Sequence, residues 1–188
     1  MPADLGLRLD GIHDELTELA DLRFAAVIGL LLEGQRWLDE PALLMIERSS
    51  ALRQHPGQIA FPGGKPEPGD RDLLDTALRE AEEEVGLPRE QVSVLGRLAP
   101  VPTPTGYMIV PFIGRVRGDW EPQRASPEVE RILTPSLRTL MDPAIHRRAG
   151  EVEWRGATHV LHEFAIADPP LWGATARMVW DLLERIRG

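Results

Sequence analysis

Apolar residues along this chain recur at two spacings, alternating and helical, and the two separate strands from helices. Leu5 to Leu19 carries the helical spacing and predicts a helix within an N-terminal extension over residues 1–22. Phe24 to Leu32 is a nearly continuous apolar run, which predicts a central strand. A second strand follows Pro41, from Ala42 to Glu47. Residues 48–57 are polar and end on Pro56-Gly57, a loop signal, and Gln58 to Phe61 is a short strand stopped by Pro62-Gly63-Gly64. After an irregular Pro-, Gly- and Asp-rich stretch, Leu73 to Val85 turns helical, with Asp70 or Asp72 as N-cap and Gly86 as the stop. Strands are predicted over Val92 to Leu98 and Met108 to Val116, and Ser126-Pro127-Glu128 reads as a helix start. Glu151 to Trp154 and Thr158 to Ile166 form a closing strand pair before an amphipathic helix, Leu171 to Ile186. The pattern predicts one α/β domain over residues 1–188, a mixed sheet with helices on both sides.

Composition bounds the function more than the fold. A chain of 188 residues with 43% apolar and 27% charged residues has the balance of a soluble globular protein. It has no cysteine, so disulfides and thiolate metal sites are excluded. The longest apolar run, Ala25 to Leu32, is too short to span a membrane, and no basic-then-apolar leader pattern opens the chain, so a cytoplasmic protein is expected. The net charge of -9 argues against nucleic-acid binding. An acidic protein acting on an anionic phosphate needs positive charge concentrated locally, from a metal ion or from a few arginines.

The segment Arg79-Glu80-Ala81-Glu82-Glu83-Glu84-Val85 carries the candidate chemistry. On a helix Glu80, Glu83 and Glu84 share one face, while Leu74, Ala77, Leu78, Ala81 and Val85 form another for the core, and Glu82 points to solvent. Exposed acidic helix faces are common, and like charges at this spacing cost only a few tenths of a kcal/mol, roughly, so the acids alone do not demand a cation. The preceding Gly63-Gly64 changes the weighing. Carboxylates are hard ligands suited to Mg²⁺ or Mn²⁺, and a glycine turn lets backbone carbonyls and amides approach a metal or a phosphate. In isolation such a pair is an ordinary tight turn.

Together, Gly64, the acidic loop and Arg79 to Leu87 resemble the Nudix box, spanning residues 64–87. Arg79, Glu80, Glu83, Glu84, Gly86 and Leu87 match its helical part, while Gly64 and Arg79 are one residue further apart than usual and the loop glutamate is out of register, with Asp70 and Asp72 nearby. That insertion resembles the coenzyme A pyrophosphatase branch. So does an upstream tag in which Leu44, Arg48, Ser49, Arg53, Gly57, Phe61, Pro62, Gly63 and Gly64 match, whereas Met45 and Ile46 depart from it. Leu171-Trp172-Gly173-Ala174-Thr175-Ala176 is a third echo, and the resemblance covers roughly residues 24 to 187.

The resemblance implies a Nudix-type α/β/α sandwich with a mixed sheet and a C-terminal helix. It implies metal-dependent hydrolysis of coenzyme A, and of its acyl esters, to 3′,5′-ADP and 4′-phosphopantetheine. Glu80 and Glu84 would be metal ligands, Glu83 a ligand or water bridge, and the Gly63 or Gly64 carbonyl a further ligand. Arg79 would brace Glu83, and Arg48 and Arg53 would meet substrate phosphates beside Gly63 and Gly64. The general base stays open between Glu83 and Glu128, with His55 behind them. The site is expected to be partly exposed, so that Glu84→Gln should spare the fold. Trp172 and Trp180 read as core. Family members are often dimers, and the N-terminal helix could serve such an interface. Two alternatives remain: another nucleoside diphosphate derivative as substrate (ADP-ribose, NADH, a dinucleoside polyphosphate, an oxidised nucleoside triphosphate), or a non-catalytic nucleotide sensor.

Overall fold

Nine of the ten residues of β1 (Arg23–Leu32) are partly or fully buried, and the run works because both faces of the strand are covered. Ile28, Leu30 and Leu32 enter one apolar cluster while Leu31 and Val27 enter the other. A strand sealed on both sides has no polar face, so its sequence shows no alternation. The computed structural model describes residues 23–154 and 156–187, and the helix expected over Leu5 to Leu19 lies outside them.

β1 is the middle of the main sheet. It pairs in parallel with β7 (Tyr107–Val116) along nine residues and antiparallel with β2 (Ala42–Arg48). β3 (Ile59–Ala60) extends the sheet beyond β2, and β5 (Val92–Arg97) extends it beyond β7, with a bulge at Leu95 between Val94 and Gly96. Three further strands attach: β4 (Gly63–Gly64) on β1, β6 (Val101–Pro102) on β7 and β8 (Val129–Leu133) on β2. The sheet is mixed, as expected.

Helices cover the two faces. α1 (Leu73–Val85) buries Ala77, Ala81 and Val85 against Ile28, Val110 and Phe112. Of the two candidate caps, Asp72 does the work: its carboxylate accepts the Asp75 N–H at 2.8 Å. Gly86 ends the helix with φ 69°, a left-handed conformation that glycine adopts without cost. On the opposite face lie α2 (Leu137–Met141) and α3 (Gly173–Arg187). α3 packs Ala176, Met178, Val179, Leu182 and Leu183 on Phe61, Leu98 and Ile113. Among the described residues, no helix is long and apolar enough to cross a membrane.

Several expectations are corrected. Ser126-Pro127-Glu128 does not start a helix. The Ser126 hydroxyl accepts the Glu128 N–H and its carbonyl accepts the Val129 N–H, which closes a turn, and the chain then pairs with β2 as β8. The capping chemistry was real, but the free edge of β2 offered continuous pairing and an Arg131–Glu47 ion pair at 2.7 Å. The helix α2, which the sequence reading missed, uses the same chemistry nearby, with Ser136 accepting the Thr139 N–H. Leu171–Trp172 form β11 against the end of β10 (Ala157–Phe164), so α3 starts only at Gly173. Trp172 is 51% exposed and not core, because a strand residue beside buried Leu171 points the other way. Trp180 does pack inward, stacked on His146 at 4.4 Å and His162 at 4.8 Å between ring centres.

That stack joins α3 to a second sheet of three strands, in which β10 lies between β11 and β9 (His146–Trp154). His162 is buried, and burial with the neighbouring His146 holds its imidazole down at about 4. A histidine depressed below its unfolded value of 6.5 contributes stability that is complete above that value and is lost as pH falls towards 4. The melting temperature of the wild type should therefore drop more between pH 7 and pH 4.5 than that of His162→Phe; parallel curves in a pH series of thermal melts would refute the assignment.

Candidate active site

Four chain segments converge at the C-terminal half of α1. The first is the turn Phe61-Pro62-Gly63-Gly64, held on β1 by the Ile28 N–H donating to the Pro62 carbonyl at 2.9 Å and by pairing of Gly63 with Val27 and Gly64 with Ala26. Gly63 has φ 155° with Ala26 and Val27 backbone pressed against the place a Cβ would occupy, so only glycine fits. A Cβ on Gly64 would instead collide with the Glu80 carboxylate. The turn thus carries no side chain because β1 backbone stands against one glycine and a helix carboxylate against the other.

Glu84 is the anchor. Its side chain is only 5% exposed, and its Oε2 accepts the Gly63 N–H at 3.0 Å. The expectation of a partly exposed site fails at this residue: as the penultimate residue of the helix, Glu84 faces the sheet rather than solvent. Burial pushes its carboxyl up to about 8; the Gly63 N–H and Arg48 pull it down, and Glu80 and Glu128 add to the rise. Glu80 is likewise raised, chiefly by burial, with Arg79 opposing. Arg79 lies 3.2 Å from Glu80 and Arg48 3.9 Å from Glu84, but burial outweighs both cations. The third acid of the trio differs: Glu83 is 56% exposed and is held by Arg79 at 3.1 Å, as the four-residue spacing predicted. Among the described residues no three acidic or histidine side chains form a ready-made metal cage.

Arg79 does more than brace Glu83. Its Nε and Nη2 donate to both oxygens of Asp70 at 2.9 and 3.1 Å, and Nη2 also reaches the Lys65 carbonyl at 3.1 Å. Asp70 in turn accepts the Glu67 N–H and the Thr76 hydroxyl, each at 2.9 Å. Arg79 holds the Asp70 carboxyl well below the usual range. The loop acid near the box therefore locks the 65–72 loop onto the helix. The sequence reading missed this pair, since nothing in a nine-residue separation across an irregular loop marks it.

The remaining two segments bring Arg48 and Glu128. Arg48, at the end of β2, lies 3.9 Å from Glu84 and 3.3 Å from Glu128, and its Nε is buried with no hydrogen-bond partner among the described residues. Glu128 arrives because the Ser49 N–H donates to its carbonyl at 2.7 Å and the Ala125 N–H donates to the Glu84 carbonyl at 3.2 Å. Its carboxylate is half-exposed and close enough to raise both Glu80 and Glu84. Arg53 and His55 stand exposed in the 49–57 loop, and His55 has a left-handed backbone, φ 54°. The structure does not bring them into contact with the acids.

This arrangement has known counterparts. The NUDIX domain model matches residues 22–153. The Nudix hydrolase NudL of Photorhabdus laumondii, itself uncharacterized, is 35% identical over 148 residues, 79% of this chain and 79% of that protein. The Yersinia pestis protein of the same name is 35% identical over 147 residues, 78% of this chain and 73% of its own length. Among solved structures, the Nudix hydrolase RenU of M. smegmatis superposes with a TM-score of 0.57 at 16% identity, covering 88% of this chain and 85% of that one. A MutT/nudix family protein from Enterococcus faecalis gives 0.54 at 15% identity, covering 94% and 68%. These two show the fold; the family match and the NudL relatives show more, and by them this chain belongs to the Nudix hydrolase family and is a pyrophosphohydrolase.

Proposed function

We propose that this protein is a coenzyme A pyrophosphatase, acting with Mg²⁺ or Mn²⁺ to release 3′,5′-ADP and 4′-phosphopantetheine. The observation that carries the reading is that the upstream tag and the box form one physical unit. The segment Arg48 to Gly64 is the last residue of β2, a closed loop, β3 and the glycine turn, and its two ends both approach Glu84: Arg48 at 3.9 Å from one side and the Gly63 N–H at 3.0 Å from the other.

The residues present suit a divalent cation. Glu80 and Glu84 are hard oxygen donors whose negative charge is poorly solvated, and the missing side chain of Gly64 lets the Glu80 carboxylate lie directly against the turn backbone. Glu80, Glu84 and the Gly64 carbonyl would hold the ion, with Glu83 contributing at the exposed edge. When bound, it supplies positive charge against the pyrophosphate oxygens and makes an attacking water more acidic. The chain supplies the rest. Arg48 turns its guanidinium from Glu128 to a phosphate oxygen, and its buried, unpartnered Nε gives it a donor to spend. Released from that pair, Glu128 is the better-placed base to take the water's proton, because Glu83 is held by Arg79. Arg53, on the loop rim, meets the outer phosphates.

Glu84→Gln keeps the shape and an acceptor for the Gly63 N–H while removing the charge. It should lower metal-dependent turnover by on the order of a hundredfold or more and, in chelator, melt no lower than wild type. Turnover within a few fold of wild type would sink the ligand assignment. The substrate is tested by incubating coenzyme A and ADP-ribose separately with the protein and each metal. Metal-dependent 3′,5′-ADP from coenzyme A, with slower cleavage of ADP-ribose, is expected; cleavage of ADP-ribose alone would reject the substrate and leave the metal chemistry standing.

A further inference from the structure

Lys65 is the only lysine of the chain and Tyr107 the only tyrosine, and the two meet. The Lys65 ammonium lies 5.3 Å from the centre of the Tyr107 ring, and the Arg23 guanidinium lies 4.3 Å from the same ring. Arg23 is fixed there by donating from Nη2 to the Thr105 carbonyl at 3.0 Å. One cation is enough to satisfy a ring face, and an exposed contact of this kind stabilises by only about 0.5–1 kcal/mol. The two ring distances put the cations within about 10 Å of each other, about one Debye length, so they repel. Among the described residues no carboxylate pairs with either, whereas Arg71, Arg89, Arg131 and Arg147 each lie against an acid. In a chain of net charge -9, two cations gathered with no carboxylate against them among the described residues form a local positive patch.

Its position ties it to the acids described above. Lys65 follows Gly64, which abuts Glu80, and the Lys65 carbonyl accepts a hydrogen bond from Arg79. Arg23 opens β1, three residues before Ala26, the register partner of Gly64. Three residues of strand span about 10 Å. The cations therefore stand beside the scissile position, not at it.

We propose that Arg23 and Lys65, set around Tyr107, form a second anion subsite that receives a phosphomonoester carried by the nucleotide away from the anhydride. This rests on the pyrophosphohydrolase reading of the site; the 3′-phosphate of coenzyme A is such a group. A dianionic phosphate accepts from the planar guanidinium fork and from the ammonium point charge together, and it removes the repulsion between them. The subsite makes the remote phosphate a specificity determinant.

The test uses two ligand pairs on wild type and the Arg23→Gln/Lys65→Gln double variant. In calorimetry without metal, wild type should bind adenosine 3′,5′-bisphosphate at least about tenfold more tightly than 5′-AMP, as expected for one charge-assisted contact, and the double variant should lose that discrimination. In turnover with Mg²⁺, the ratio of KM for 3′-dephospho-coenzyme A to KM for coenzyme A should fall towards one in the variant with kcat held. Equal discrimination by both proteins, or none by wild type, overturns the subsite. Failure of wild type to cleave coenzyme A while it still discriminates the bisphosphate would overturn the substrate reading and leave the subsite in place. Both side chains are exposed at their charged ends, so thermal melts should show the variant folded; Tyr107→Phe, which keeps the ring, should retain the discrimination.

Discussion

The hydrogen bond from the Gly63 N–H to the Glu84 carboxylate organises this molecule. It fastens α1 to the glycine turn, and the turn is itself a two-residue strand on β1, so helix, turn and sheet are fixed by one buried acceptor. A carboxylate removed from water is costly unless it is paired. Here a single amide and an arginine 3.9 Å away compensate it only in part, and burial leaves its proton affinity raised. On the proposed function, stability at this point is given up for a metal-binding carboxylate, the compromise expected where a fold holds a reactive group.

The second fastening is electrostatic and lies one helical turn back. Asp70 and Arg79 clasp in a two-point contact, and Asp70 also gathers a backbone amide and a threonine hydroxyl. A loop rich in proline and glycine has no regular structure to hold it. This clasp gives it one conformation and places the Lys65 carbonyl on the same guanidinium. Arg79 thus touches Asp70, Glu80, Glu83 and the loop backbone at once, which explains why an arginine, with its planar fork of donors, occupies the position.

Much of this was legible in the sequence, and the failures have a common cause. The central strand, the box helix, the Asp72 cap and the Gly86 stop are local features, written in the spacing of neighbouring residues. The i, i+4 contact of Arg79 with Glu83 was readable for the same reason. What escaped was decided by a distant partner: β8 in place of a helix after Ser126, because β2 had an edge to offer; the burial of Glu84, because the turn sits over it; the Asp70 clasp, because a loop folds back. Glu128 was named from its corner position, but its approach to Arg48 depends on strand pairing between β2 and β8, which spacing does not report. Trp172 was misread because a tryptophan in an apolar stretch looks like core until the strand's alternation is known.

The loop between β2 and β3 has its own consequence. Arg48 and Gly57 are joined by the Gly57 N–H donating to the Arg48 carbonyl at 3.0 Å, and the Arg48 N–H donates to the Gln58 carbonyl at 3.0 Å, so the neck of the loop is sealed independently of what lies beyond it. Closing a loop costs little more when residues are added to it. The rim can therefore be lengthened, shortened or grafted from a relative without disturbing the glycine turn or the acids. The architecture separates the glycine turn and the acids from the loop rim, so the proposed substrate contacts of the rim can change without a change in the proposed metal site.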